Sequence, residues 1–114
     1  MRAKFVYEQI ENILRPKSEE EILSHLGNLT PDKLLMKSSV VGFLPGVRLA
    51  LENGANVHAY DDDALRWASR RGHKNVVELL LKNGADVHAE DDYALRWASR
   101  RGHKDVVELL KKYI

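Results

Sequence analysis

The sequence predicts an all-α solenoid of stacked helix-turn-helix units, and three observations predict it. Residues 53–82 recur almost letter for letter as residues 83–112, a tandem unit of 30 residues with 25 identical positions. Within each copy the apolar residues fall at helical spacing, and no stretch alternates as a strand would. Gly72 and Gly102, then Asn83-Gly84, stand where a helix would stop.

In chain order, Val6, Ile10, Ile13 and Leu14 recur at helical spacing up to Pro16, which predicts a helix over about residues 3–14. Ser18 and Glu21 form a capping-box pattern ahead of Ile22, Leu23 and Leu26, and Gly27 ends that second helix. Thr30-Pro31-Asp32 opens a third: the threonine accepts from free amides, and the proline sits where its missing N–H does no harm. In the repeat, residues 64–71 read as a short helix ended by Gly72. Val76, Val77, Leu79, Leu80 and Leu81 give a second helix a wide apolar face, and residues 85–92 form the loop to the next unit.

Composition bounds the function. The chain has 114 residues, 44% hydrophobic and 31% charged, and no apolar run approaches the roughly 18 residues of a membrane span. The first residues lack the uninterrupted apolar core of a secretion signal, so a soluble protein of the cytoplasm is expected, or of the host cytoplasm if the source is viral. Without cysteine there is no disulfide framework, thiolate nucleophile or cysteine-bound zinc. Net charge is +1 and evenly spread, so no segment has the one-signed excess that draws a protein to nucleic acid or anionic lipid.

Gly72-His73, the run from Val77 to Leu80, and Asn83-Gly84-Ala85-Asp86-Val87-His88-Ala89 resemble the ankyrin repeat, whose units carry G-H, V-x-x-L-L and G-A-D-V-N-A in that order. Ankyrin units run about 33 residues, and motif alignment puts the three missing ones between Ala59 and Leu65, so the projecting finger is expected to be shortened. Asp63-Ala64-Leu65-Arg66 and Tyr93-Ala94-Leu95-Arg96 replace the family's T-P-L-H opening. Such short units look like those of ankyrin arrays in giant DNA viruses, phage and bacteria. One period upstream, residues 34–43 and 47–55 share the frame. The expected organisation is therefore an N-terminal helical cap at 1–29, a diverged repeat at 30–52, a second repeat at 53–82, and a third at 83–114 that also caps the C-terminus. Leu81 becomes Lys111 in the last copy, as expected where no repeat follows and the position meets water.

The resemblance implies a protein–protein interaction module binding on a concave face lined by the first helices. The positions before the helix-ending glycine, Arg70, Arg71, Arg100 and Arg101, are among those that family members vary to recognise partners. Guanidinium forks grip carboxylates and stack on aromatics. Arg66 and Arg96 recur beside them, with intramolecular pairing to the loop acids as the competing use, including Asp62 to Arg66 at i,i+4. The two copies disagree at Tyr60/Glu90 and Asp63/Tyr93, and these four complete the expected contact set, with Tyr60 and Tyr93 foremost. Trp67 and Trp97 are expected to pack in the core or between repeats. Paired histidines, His58 with His88 and His73 with His103, fall short of a metal site, and no nucleophile or phosphate-loop pattern appears, so neither enzyme activity nor a cofactor is expected. The alternatives are a nucleic-acid module using the arginine rows, which the interleaved acids disfavour, and a consensus-like scaffold without a natural partner. A monomer is expected, with weak self-association through the last helix if Leu110, Tyr113 and Ile114 stay exposed.

Overall fold

Six helices follow one another in a computed structural model that describes residues 29–114: α1 (Pro31–Val41), α2 (Leu44–Glu52), α3 (Ala59–Arg71), α4 (Lys74–Lys82), α5 (Ala89–Arg100) and α6 (Lys104–Lys111). The helices expected before Gly27 lie outside the described residues. So does nearly all of the segment assigned to the cap. Pro31–Ile114 forms one compact unit.

Each unit is an antiparallel pair: α1 packs on α2, α3 on α6's predecessor α4, and α5 on α6. First helices α1, α3 and α5 lie side by side in one layer, and α2, α4 and α6 form the other. Residues 31–52 thus fold as the same helix-turn-helix as the two units that follow. Between the layers the core is aliphatic: Leu34, Leu35, Val47, Leu65, Val76, Val77, Leu80, Val106 and Leu110 are all buried. Removing such apolar area from water supplies most of the driving force for stacking.

Identical residues in the last two units show what a following repeat covers. Leu65, Ser69 and Val77 are buried, whereas Leu95 and Val107 are half-buried and Ser99 is exposed. Leu81 is buried and Lys111 exposed. Leu110 departs from expectation: it is fully buried, because it occupies the inner face of α6 rather than its rim. Tyr113 and Ile114 are exposed.

The turn inside each unit needs its glycine. Gly72 adopts φ 79°, its amide reaches the Ser69 carbonyl at 3.2 Å, and the His73 amide reaches the Ala68 carbonyl at 2.9 Å, closing the end of α3. A Cβ at Gly72 would lie 2.6 Å from the His103 ring, and one at Gly42 would lie 2.5 Å from that of His73. These rings reach across units: Nε2 of His73 lies 3.0 Å from the Val40 carbonyl, and Nε2 of His103 lies 2.9 Å from that of Arg70. Each histidine therefore ties the start of one second helix to the end of the preceding unit's first helix.

The shortened finger takes a form that periodicity does not suggest. Tyr60, Asp61 and Asp62 are left-handed, with φ of 57°, 55° and 57°, and α3 runs right-handed only from Asp63. Glu90, Asp91 and Asp92 repeat the turn at 55°, 54° and 59°. A left-handed residue other than glycine costs about 1–2 kcal/mol, so three in a row require local compensation. Nε of Arg66 donates to the Asp61 carbonyl at 2.9 Å, and Nη2 donates to that of Tyr60 at 3.1 Å. Arg96 repeats this on Asp91 at 2.8 Å and Glu90 at 3.2 Å. The turn's last carboxylate also bridges units: Asp62 Oδ2 accepts from the Asp86 amide at 2.8 Å, as Asp32 Oδ1 does from the Asn56 amide at 2.8 Å. His58 Nδ1 lies 2.9 Å from Asp62 Oδ1 and completes the arrangement.

Candidate functional site

On α3, Trp67, Arg70 and Arg71 sit at i, i+3 and i+4, which puts them on one helical face. Stacking of the units brings Trp97, Arg100 and Arg101 of α5 beside them. Arg70 lies between the two indoles, its guanidinium carbon 4.9 Å from the Trp67 ring centroid and 4.2 Å from that of Trp97. Its Nη1 also donates to the Tyr93 hydroxyl at 2.9 Å. The Tyr93 ring in turn lies 5.9 Å from that of Trp97, centroid to centroid, and the Arg66 guanidinium carbon stands over the Tyr93 ring at 5.2 Å from its centroid. Arg71 stacks over Trp67 at 5.7 Å, and Arg100 and Arg101 over Trp97 at 5.3 and 5.8 Å. Cation–π contacts of this kind contribute about 0.5–1 kcal/mol each when exposed. Their larger effect here is to restrict flexible side chains to a few orientations.

Trp67, Arg70, Arg71, His73, Arg101 and His103 line a groove of about 830 Å³. No carboxylate is among them. The loop acids stand at the other end of the first helices, three of them paired: Asp63 with Arg66 at 3.3 Å, Asp62 with His58 at 2.9 Å, and Asp92 with His88 at 2.6 Å. Asp62 does not pair with Arg66, because the left-handed turn directs its carboxylate to His58 and to the next unit's amide. Arg71, Arg100 and Arg101 have no carboxylate partner among the described residues.

The sequence-predicted contact residues thus divide into three groups. Arg70, Arg71 and Arg101 line the groove, and Arg100 stacks next to it. Arg66 and Arg96 turn back to hold carbonyls of their own turns, with Asp63 bonded to Arg66 and Tyr93 to Arg70. Tyr60 and Glu90 occupy the exposed left-handed turns. Of the two places expected for the tryptophans, the structure shows the second: neither indole enters the core, and both are half-buried and joined across the units through Arg70. Sequence reasoning passed over Trp67, His73 and His103 as groove residues. The spacing of Trp67 to Arg70 and Arg71 was the available signal.

Two ionisable groups are shifted here. Burial pushes the Asp63 carboxyl above its ordinary value, and Arg66 and a hydrogen bond from Trp67 only partly offset it. Burial likewise lowers His73, helped by nearby Arg71 and His103 and opposed by the hydrogen bond to Val40. Among the described residues no three histidine, aspartate or glutamate side chains gather as a metal site would require.

A family model described as ankyrin repeats (3 copies) matches residues 6–91 and 35–114. The first match begins inside the segment expected to act as a cap. No curated protein matches the chain.

Proposed function

The chain belongs to the ankyrin repeat family, whose repeats are in general protein–protein interaction modules, and from that premise we propose that it binds a partner protein on its concave face, along the groove between α3 and α5. The observation that carries this reading is the set of guanidiniums, Arg71, Arg100 and Arg101, held on indoles with no carboxylate partner among the described residues, beside a groove whose described lining holds no carboxylate. Side chains already ordered by stacking lose little further entropy when a partner arrives, so a small interface can be specific. The work is recognition rather than catalysis. No helix among the described residues is long and apolar enough to cross a membrane, and we place the protein in the cytoplasm as a monomer.

Nucleic acid fits the groove less well. Non-specific strands are held by bases stacked on aromatic faces, and here the indole faces carry arginines. The test is the triple variant R71E/R100E/R101E, which leaves the Arg70 sandwich in place. Loss of a partner captured by the wild type, with an unchanged circular dichroism spectrum, is the expected result. Retention of that partner would put the binding surface elsewhere.

A further inference from the structure

We propose that the groove recognises an extended acidic peptide segment whose carboxylates recur every third residue, with an apolar residue at the next such step. The inference rests on the binding reading above and adds the partner's chemistry and spacing.

Arg71 and Arg101 occupy the same helix position in successive units, so their anchors are separated by one helix-to-helix spacing, about 8–10 Å. A chain in polyproline II conformation advances about 3.1 Å per residue with three residues per turn, so residues i and i+3 lie about 9 Å apart on one side. Two acids at that interval therefore meet Arg71 and Arg101 together, each guanidinium fork donating to one carboxylate. The row ends there, because the same position in the first unit is Val41, with Val40 beside it, both half-buried. One period further, a ligand on this register meets an aliphatic surface instead of a cation.

Charge favours discrete acids over a continuous polyanion. The exposed acids Asp61, Glu90 and Asp91 stand at the opposite end of the same first helices, on the order of 15 Å from the arginines at 1.5 Å per residue. A long phosphate backbone running past the groove would meet them. A short peptide need not.

Trp67 and Trp97 are the chain's two tryptophans and both carry the stacked arginines, so intrinsic fluorescence reports on the groove. The probes are blocked peptides of one composition, Leu-Pro-Pro-Glu-Pro-Pro-Glu and its reverse, against Leu-Pro-Pro-Pro-Pro-Glu-Glu, with an oligothymidylate as the polyanion. One direction of the spaced peptide should bind at least about tenfold more tightly than the adjacent-acid peptide, the expected contribution of one charge-assisted pair. R71E and R101E should each cost about tenfold or more, R101K less because the charge remains without the fork, and K111E nothing. Equal affinity for spaced and adjacent acids, indifference to R101E, or tighter binding of the oligothymidylate would overturn the proposal. Loss of a captured protein partner in the triple variant, alongside spacing-independent peptide binding, would remove this inference and leave the concave-face reading standing.

Discussion

Asp62→Ala should destabilise the array far more than Asp92→Ala, although the two residues occupy equivalent places in near-identical units. Asp62 has a side chain only 5% exposed and takes two bonds, from the Asp86 amide at 2.8 Å and from His58 at 2.9 Å. Asp92 is 48% exposed and retains only His88. A hydrogen bond to a charged acceptor contributes about 1.5–3 kcal/mol, the bond from the largely exposed His58 contributes less than about 1 kcal/mol, and the freed Asp86 amide can turn to water. Relief of the buried carboxylate's desolvation offsets part of this, which leaves a net loss of about 2–3 kcal/mol for Asp62→Ala. For Asp92→Ala the exposed pair is worth less than about 1 kcal/mol. Both substitutions place alanine at the same positive φ, so that cost cancels in the comparison. Urea unfolding followed by circular dichroism reads the difference: at about 1 kcal/mol per molar, the midpoint of Asp62→Ala should fall by about 2 M. Two variants within about 0.5 kcal/mol of one another would refute the idea that this carboxylate ties successive units together.

Three further outcomes are expected. Glu90→Gly should raise stability by about 0.5–1 kcal/mol in the same assay, since Glu90 is exposed at φ 55° and glycine relieves that conformation; a loss would argue against the left-handed turn. Gly72→Ala should cost well over 2 kcal/mol and Gly102→Ala about 1 kcal/mol, because both have positive φ but only the first meets a histidine ring, at 2.6 Å; similar melting temperatures would contradict this packing. His73 has a folded pKa below its unfolded one, so the unfolded chain binds the extra proton first, and its contribution is present above about pH 6.5 and lost as pH falls through the folded value. Nuclear magnetic resonance titration of the His73 ring should show a midpoint below about 6.5, and a higher one would reverse the sign.

Much of the architecture was legible because it depends on local chemistry. Gly72 and Asn83-Gly84 end helices for reasons confined to a few residues, and the exchange of Leu81 for Lys111 goes with a change from buried to exposed that hydrophobicity alone suggests. The left-handed turns were not legible. Tyr-Asp-Asp and Glu-Asp-Asp lack glycine, and the bonds that hold them come from Arg66 and Arg96 and, for the first turn, from an amide 24 residues away. For the site, the arginine rows and their position before the glycine could be read from the repeat. The division of labour among them could not, since Arg66 and Arg70 differ only in which carbonyl or ring their side chains reach. Whether tryptophan packs in the core or between units was not legible for a related reason: its size allows either, and here its faces serve the cations between units.

The cross-unit bonds run at fixed intervals, forward from Asp32 and Asp62 and backward from His73 and His103, and none reaches past the adjacent unit. Excision of residues 53–82 would therefore present Asp32 with the Asp86 amide in place of that of Asn56, and Val40 with His103 in place of His73. Each of these broken links would find a ready substitute, whereas the bond from Arg70 to the Tyr93 hydroxyl would be lost, because Val40 stands at the equivalent place one unit earlier. The geometry makes the array modular at the level of inheritance: unequal exchange between the near-identical copies would lengthen or shorten the protein by whole cassettes, altering how many cations its groove displays without disturbing the joints that hold it.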